Sequence, residues 1–158
     1  MTLGQGRGDR LTSLLDPDQS SWPRHYWVMA RAHHGLSTPE VFRTLDQLRE
    51  GGVPAQLSDA ERAALCADAD TLASVLCNDL TAPALHLYPE LATTIHDAKD
   101  AGACAAILSG SGPTIAVLAR DSKHADELAE ALQTSSEVSA VLRTSGPAVG
   151  AIVEEEES

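Results

Sequence analysis

Residues 103–119 contain two short apolar segments that are separated by a turn of small and rigid residues. The segments are ACAAIL and TIAVLA, and the turn between them is SGSGP, residues 109–113. Short apolar segments bounded by glycine and proline are typical of β-strands, and so short a connection requires the two strands to be antiparallel neighbours. Any fold for this chain must therefore contain an apolar β-hairpin in its C-terminal third.

Outside this hairpin, strand patterns occur towards both ends of the chain. The run HYWVMAR at 25–31 is apolar and aromatic, and VSAVLRT at 138–144 also predicts a strand. The run AVGAIV at 148–153 has the composition for one more strand. We expect residues 1–24 to be irregular, because they are rich in Gly, Asp, Ser and Pro, and the glutamates at 154–157 to form a solvated tail.

Between the first strand and the hairpin, residues 38–101 are predicted to be almost entirely helical. Thr38 is suited to be the N-cap of the first helix, and Pro39 fits its first helical position. The apolar residues of this helix repeat at helical spacing and are predicted to share one face: Val41, Phe42, Leu45 and Leu48.

Two further segments, 57–80 and 81–102, are also predicted to be helical. Ser58 and Glu61 form a capping box that begins the first of them, which has the length of one or two helices. The second segment contains residues that we expect to break, kink or end it: Pro83, Pro89 and Gly102.

A last helix is predicted over 122–133, between the hairpin and the final strand. Its apolar residues lie on one face: Ala125, Leu128, Ala129 and Leu132. The element order predicts an α+β fold of the ferredoxin-like, split-βαβ type, with a four-stranded antiparallel sheet and extra helices on one face. We divide the chain into a junction segment 1–24, a domain 25–153 and an acidic tail 154–158.

Composition excludes several classes of function. The 158 residues are 43% hydrophobic, which is enough for one domain with its own core. The formal net charge of −12 argues against binding to nucleic acid or to an anionic membrane, both of which attract cationic surfaces. No run approaches the roughly 18 apolar residues of a membrane helix, and no signal-peptide core is visible, so we expect a cytoplasmic location.

The cysteines and histidines do not form a metal-binding pattern. Cys66, Cys77 and Cys104 lack the spacing of metal ligands and are expected to be buried thiols. His33 and His34 are adjacent, but no other His or Cys lies three or four residues away from them. No metal site is therefore predicted.

The glycine-rich turn supports two hypotheses. In the first, Gly110–Pro113 only reverses the chain, because glycine supplies positive φ and proline fixes a turn. In the second, the missing side chains of Gly110 and Gly112 let a phosphate reach backbone N–H groups. Nearby hydroxyl groups would then add donors: Ser109, Ser111 and Thr114. No GK[ST] sequence follows, so this is not a Walker A loop, and a lone GxG is weak evidence.

Four segments resemble the GHMP kinases, a superfamily that includes galactokinase, homoserine kinase and mevalonate kinase. SGSGPT at 109–114 is similar to the third conserved motif of that superfamily. Within it, the 4-diphosphocytidyl-2-C-methyl-D-erythritol kinases match three more segments: LGQGRGD at 3–9, GLSTPEVF at 35–42 and LCNDLTAPALHLYPEL at 76–91. The order of the segments along residues 3–150 is the order in that family.

This resemblance implies a function and a role for each matching residue. It implies ATP-dependent phosphorylation, with Mg²⁺, of the 2-hydroxyl of a cytidine-diphosphate substrate in non-mevalonate isoprenoid precursor biosynthesis. Thr38 and Phe42 would contact the cytidine moiety, with the Phe42 ring stacked on the base. The phosphates would face the loop residues Ser109, Gly110, Ser111, Gly112 and Thr114. Asn78 and Asp79 match family positions, and we expect them to hold a helix junction and not to be catalytic.

The sequence also departs from the family pattern. No segment resembles the PxxxGLGGGSS nucleotide loop, and the catalytic Lys and Asp of the family's N-terminal domain have no counterparts here. We therefore expect a C-terminal half that is inactive alone, binds no cofactor tightly, and would need an N-terminal domain in trans. No catalytic residue is nominated in this chain.

Other interpretations remain open at this stage. Without the resemblance, Phe42 would be expected in the core of an amphipathic helix, and Thr38 would serve only as an N-cap. One alternative function is a GHMP kinase that acts on a different small alcohol. Another is a non-enzymatic ferredoxin-like domain that binds a ligand or a partner chain.

Overall fold

A four-stranded antiparallel sheet organises the chain in the computed structural model, which describes residues 2–6, 8–14, 22–49 and 57–148. The strands are β1 Thr2–Gln5, β2 Arg10–Ser13, β3 His25–Ala32, β4 Ala105–Leu108, β5 Thr114–Ala119 and β6 Val138–Gly146. The helices are α1 Thr38–Leu48, α2 Asp59–Ala64, α3 Ala69–Ala73, α4 Thr81–Leu87, α5 Leu91–Asp100 and α6 Ser122–Gln133.

The strand order in the main sheet is β4-β5-β3-β6, and every neighbouring pair is antiparallel. This is the arrangement of a split βαβ unit, in which the first strand pairs with both the third and the fourth. The predicted ferredoxin-like α+β class is confirmed, as are the hairpin β4–β5 and the strands near residues 25–31 and 138–144. Residues 114 and 31 are opposite each other in the register, so the glycine-rich turn lies at the C-terminal end of β3.

One face of the sheet carries the main core. Val28 and Ala30 on β3 pair with Val117 and Ile115 on β5, and all four side chains are fully buried. The predicted apolar face of α6 is confirmed, since its members are buried in the same cluster as the sheet residues: Ala125, Leu128, Ala129 and Leu132. Each fully buried Val, Leu or Ile side chain in this core contributes about 1.5–3 kcal/mol of transfer free energy.

Helical cover is not confined to one face, which corrects one detail of the predicted fold. Trp27 and Leu118 pair on the opposite face of the sheet, and Leu118 is fully buried there. Leu72 of α3 is also buried, and it lines an apolar cavity of about 420 Å³ together with Trp27. The second face is therefore partly covered by the short helices that the first crossover adds.

Helix α1 differs from its predicted form at both its start and its apolar face. Its N-cap is Ser37, so Thr38 is the first helical residue and its side chain is free for another contact. Phe42 and Leu48 are 49% and 51% exposed, whereas the buried residues are Val41, Thr44 and Leu45. Phe42 lies about 100° around the helix from Val41, which takes it out of the buried arc.

The capping box of α2 is confirmed. The Ser58 N–H donates to the Glu61 carboxylate at 2.7 Å, and the Glu61 N–H donates to the Ser58 hydroxyl at 3.2 Å. The Ser58 hydroxyl also donates to this carboxylate at 2.7 Å, and this bond, with the bond from the Ser58 N–H, holds the pKa of Glu61 below its usual range. The segment 57–80 forms two short helices, α2 and α3.

The prolines and the glycine of the segment 81–102 act differently from one another. Pro83 does not break α4, because it lies in the first turn, where an N–H has no helical acceptor. The helix ends before Pro89, as predicted, and α5 begins two residues later. Gly102, with φ of 89°, then ends α5. The Ala103 N–H donates to the Ala98 carbonyl at 3.0 Å, as in a Schellman motif.

The N-terminal segment is not irregular throughout, so the prediction for residues 1–24 is wrong for residues 2–5 and 10–13. β1 and β2 pair in an antiparallel hairpin whose residues are almost all exposed. Sequence patterns missed it because exposed strands have no apolar alternation to detect. The strand predicted over 148–153, apart from residue 148, and the tail at 154–158 lie outside the described residues.

The cysteines are free thiols, and they are less buried than predicted. Cys77 is exposed, while Cys66 and Cys104 are half-buried, and burial raises the pKa of both half-buried thiols.

In the described part of the chain, no helix combines the length and apolar character needed to cross a bilayer.

Candidate functional site

The β4–β5 turn is a tight loop with two glycines in the left-handed region. The Ser109 N–H donates to the Thr114 carbonyl at 2.8 Å, and the Gly112 N–H donates to the Ser109 carbonyl at 3.0 Å. Gly110 has φ of 59° and Gly112 has φ of 80°. L-residues with side chains rarely adopt these angles, so both positions favour glycine.

The two glycines have different surroundings. A Cβ added at Gly112 would lie 2.8 Å from Leu108 Cδ1 and 3.3 Å from Leu36 Cδ1, inside the packing of the domain. A Cβ added at Gly110 would have no heavy atom within 4 Å. Gly112 is therefore needed for packing as well as for φ, whereas Gly110 faces open space where a ligand can approach.

Two backbone donors of the loop remain available. Within the described residues, no carbonyl accepts a hydrogen bond from the N–H groups of Gly110 and Ser111. Consecutive free N–H groups in a turn with positive φ form an anion-binding concavity. The loop thus has the local chemistry of a phosphate cradle.

The fold brings the predicted substrate residues to this cradle. The Thr38 and Ser111 hydroxyl oxygens are 2.7 Å apart, and either hydroxyl can donate to the other. Phe42 follows Thr38 by four residues on α1, so the two side chains lie on the same side of the helix. Because Phe42 is exposed, the expectation of a core position is wrong. An exposed aromatic ring therefore lies one helical turn from a hydroxyl pair and a cradle.

Asn78 contacts the loop directly, which sequence patterns did not indicate. Its Nδ2 donates to the carbonyls of Leu108 and Gly110, both at 2.8 Å, and its Oδ1 accepts from the Leu80 N–H at 2.9 Å. The contact to Leu80 fits the expected helix junction before α4. Its neighbour Asp79 pairs with Arg49, at the C-terminal end of α1.

The strand register also brings a cation near the loop. The loop sequence has no Lys or Arg within five residues on either side, but Arg31 on β3 is the partner of Thr114 on β5. The Ala32 N–H donates to the Pro113 carbonyl at 3.4 Å. Nearby, the His34 and Tyr88 rings form a T-shaped pair whose centroids are 5.9 Å apart.

Within the described residues, no group of three or more His, Cys, Asp or Glu residues could hold a metal ion.

Comparison with known proteins assigns this architecture to a family. Residues 62–138 match the model "GHMP kinases C terminal". A 4-diphosphocytidyl-2-C-methyl-D-erythritol kinase of Thermobifida fusca is 43% identical over 152 residues, which are 96% of this chain and 48% of that relative. Residues 62–138 therefore belong to the GHMP kinase C-terminal domain family. The kinase of the same name from Streptomyces coelicolor is 44% identical over 96% of this chain and 50% of its own length.

Solved structures of GHMP kinases share the fold. A crystal structure of 4-(cytidine 5'-diphospho)-2C-methyl-D-erythritol kinase superposes with a TM-score of 0.66 at 26% identity, covering 89% of this chain and 47% of that one. A homoserine kinase from Cytophaga hutchinsonii superposes with a TM-score of 0.60 at 18% identity, over 92% and 47% of the two chains, which supports the fold alone. The chain spans about half the length of the curated relatives it matches.

Proposed function

We propose that this GHMP domain is the substrate-binding part of an ATP-dependent kinase that phosphorylates the 2-hydroxyl of 4-diphosphocytidyl-2-C-methyl-D-erythritol. The observation that carries the proposal is the 2.7 Å contact between Thr38 and Ser111, which joins the two groups of residues that sequence motifs assign to the substrate. The relatives that share over 40% identity with the chain carry the name of that kinase.

Each part of the site has a task in this proposal. The Phe42 ring stacks on the cytosine base, because an exposed aromatic face offers a flat apolar surface to a nucleobase. The Thr38 hydroxyl contacts the cytidine moiety, and the Ser111 hydroxyl and the N–H groups of Gly110 and Ser111 bind phosphate oxygens. Arg31 adds positive charge at the same end of the sheet. These groups bind and orient the substrate, so that the reacting hydroxyl is held in one place.

The phosphoryl group comes from ATP in this proposal. In the complete enzyme, Mg²⁺ bound with ATP would supply positive charge for the transferred phosphoryl group, and a base or orienting group would be needed at the substrate hydroxyl. We assign neither of these tasks to a residue of this chain, and the family resemblance implies an N-terminal domain that supplies them. Since ATP is made and used in the cytoplasm, the proposal places the reaction there.

A binding assay with one matched pair of variants tests the proposal. We expect the chain to bind 4-diphosphocytidyl-2-C-methyl-D-erythritol and cytidine diphosphate in calorimetry. Phe42→Ala should weaken this binding about tenfold, because loss of base stacking costs about 1–3 kcal/mol. Leu48→Ala removes an equally exposed apolar side chain from the same helix and should leave the affinity unchanged.

Other outcomes of this assay would favour other functions. Preferential binding of homoserine or mevalonate would indicate a GHMP kinase for another small alcohol. Binding of no nucleotide ligand at all would favour a non-enzymatic domain. Equal affinities of the wild type and the Phe42→Ala chain would contradict the assignment of the cytidine contact to α1.

A further inference from the structure

The Asn78 side chain joins three backbone groups that belong to two different elements. Its amide NH₂ donates to the carbonyls of Leu108 and Gly110, on either side of Ser109, and its oxygen accepts from Leu80. An asparagine amide has two N–H donors and one oxygen acceptor, so each type of group has a partner here. A residue needed only to cap a helix junction would use the oxygen alone.

The bond to the Gly110 carbonyl determines where the Ser111 N–H points. In a planar trans peptide, the C=O and the following N–H point in opposite directions. The Gly110 carbonyl is turned towards Asn78, so the Ser111 N–H of the same peptide is turned away from it. That N–H is one of the two donors without an acceptor among the described residues. Asn78 thus lies behind the cradle and turns the Ser111 N–H outward.

We propose that Asn78 is a positioning residue for phosphate binding, which it serves by holding the glycine-rich loop in its donor-outward conformation. This inference rests on the proposed function, because it assigns the phosphates of the substrate to the loop. Asn78 does not touch the substrate. It acts through the Gly110–Ser111 peptide.

Two variants separate loop holding from helix capping. Asn78→Asp is isosteric and keeps the oxygen that accepts from Leu80, but it has no NH₂ to donate to the loop carbonyls. Asn78→Ser keeps a short acceptor for Leu80 and adds no charge. Asp79→Asn is the matched control, since it changes the adjacent side chain, which pairs with Arg49 and not with the loop.

The first measurement needs no ligand. Hydrogen exchange at the Gly112 N–H, which donates across the turn to Ser109, should become about tenfold faster in both Asn78 variants. It should stay unchanged in Asp79→Asn, and the melting temperatures of all variants should stay close to that of the wild type. Unchanged exchange in both Asn78 variants would overturn the proposal.

The second measurement compares cytidine diphosphate with cytidine. Both Asn78 variants should bind cytidine diphosphate about tenfold more weakly, while their affinity for cytidine stays that of the wild type, because only the phosphates meet the loop. An equal loss for both ligands, or a loss for neither, would overturn the proposal. A wild-type chain that binds neither ligand would overturn the proposed function, and the exchange result would still decide whether Asn78 holds the loop.

Discussion

Two hairpins of this chain turn through glycines with positive φ, and they differ in what surrounds the turn. In the β1–β2 turn, Gly8 has φ of 83° and its N–H donates back to the nearby Gln5 carbonyl. In the β4–β5 turn, Asn78 and Thr38 arrive from 30 and 73 residues away in sequence to contact the loop. Glycine content alone therefore predicts a turn in both places. Only the β4–β5 turn is a candidate site, because residues from distant elements contact it.

The strands that flank the two turns also differ in how deeply they are buried. β2 is exposed along its whole length, and Leu11 is 67% exposed. In β5, by contrast, Ile115 and Val117 are fully buried against the helices. A loop whose flanking strands are buried in the core is held in a fixed position, which a binding cradle requires for pre-organisation.

The largest expected effect comes from adding one methyl group to each turn. Gly112 and Gly8 have nearly equal φ, 80° and 83°, but only at Gly112 would a Cβ meet a side chain, Leu108, at 2.8 Å. Backbone strain should cost each alanine variant about 1–3 kcal/mol. Overpacking should add about 1–3 kcal/mol for Gly112→Ala alone. Urea unfolding measures the free energy of unfolding of both variants. Equal losses in Gly112→Ala and Gly8→Ala would contradict the difference in packing between the two turns.

A smaller effect is expected from pH, at the end of the sheet opposite the cradle. His25 is the first residue of β3 and pairs with Gly146 at the end of β6, whereas Arg31 lies beside the glycine-rich turn. Burial lowers the pKa of His25 below its ordinary value of 6.5, and the Asp68 carboxylate opposes this more weakly. The unfolded chain therefore binds the proton more readily, so stability should fall as pH drops below about 6.5.

Variants can assign this pH dependence to one side chain. His25→Gln should reduce the loss of unfolding free energy between pH 7.5 and pH 5.5, as measured by urea titration (both pH values are about one unit from the ordinary histidine pKa). His86→Gln, which changes an exposed histidine on α4, should keep the wild-type slope. An unchanged slope in His25→Gln would show that the neutral form of His25 does not stabilise the fold.

Sequence patterns predicted the sheet and its main helices because buried elements carry apolar residues in recognisable arrangements. The apolar face of α6 repeats at helical spacing, and the runs that became β3, β4 and β5 are short and almost continuously apolar. The hairpin β1–β2 left no such trace, because its strands are exposed. Pro83 was misjudged because its effect depends on its position in the helix, and that position is fixed by where α4 begins.

The candidate site was predictable in its parts but not in its assembly. The motifs around Thr38, Phe42 and Gly110 indicated which residues to expect, by family resemblance. The exposure of Phe42 depends on how α1 is rotated against the core, and helical spacing alone placed it on the wrong side. The bonds of Asn78 and the approach of Arg31 follow from strand order and register, which no local pattern contains.

The most direct test of the account is to map substrate binding onto the backbone amides of the two turns. The ¹⁵N-labelled chain is titrated with 4-diphosphocytidyl-2-C-methyl-D-erythritol, and every amide chemical shift is followed. We predict the largest changes at Gly110, Ser111 and Thr38, and none at Gly6 and Gly8. Unchanged amides at Gly110 and Ser111 at a saturating concentration, or equal changes in both turns, would contradict the claim that the β4–β5 turn binds the phosphates.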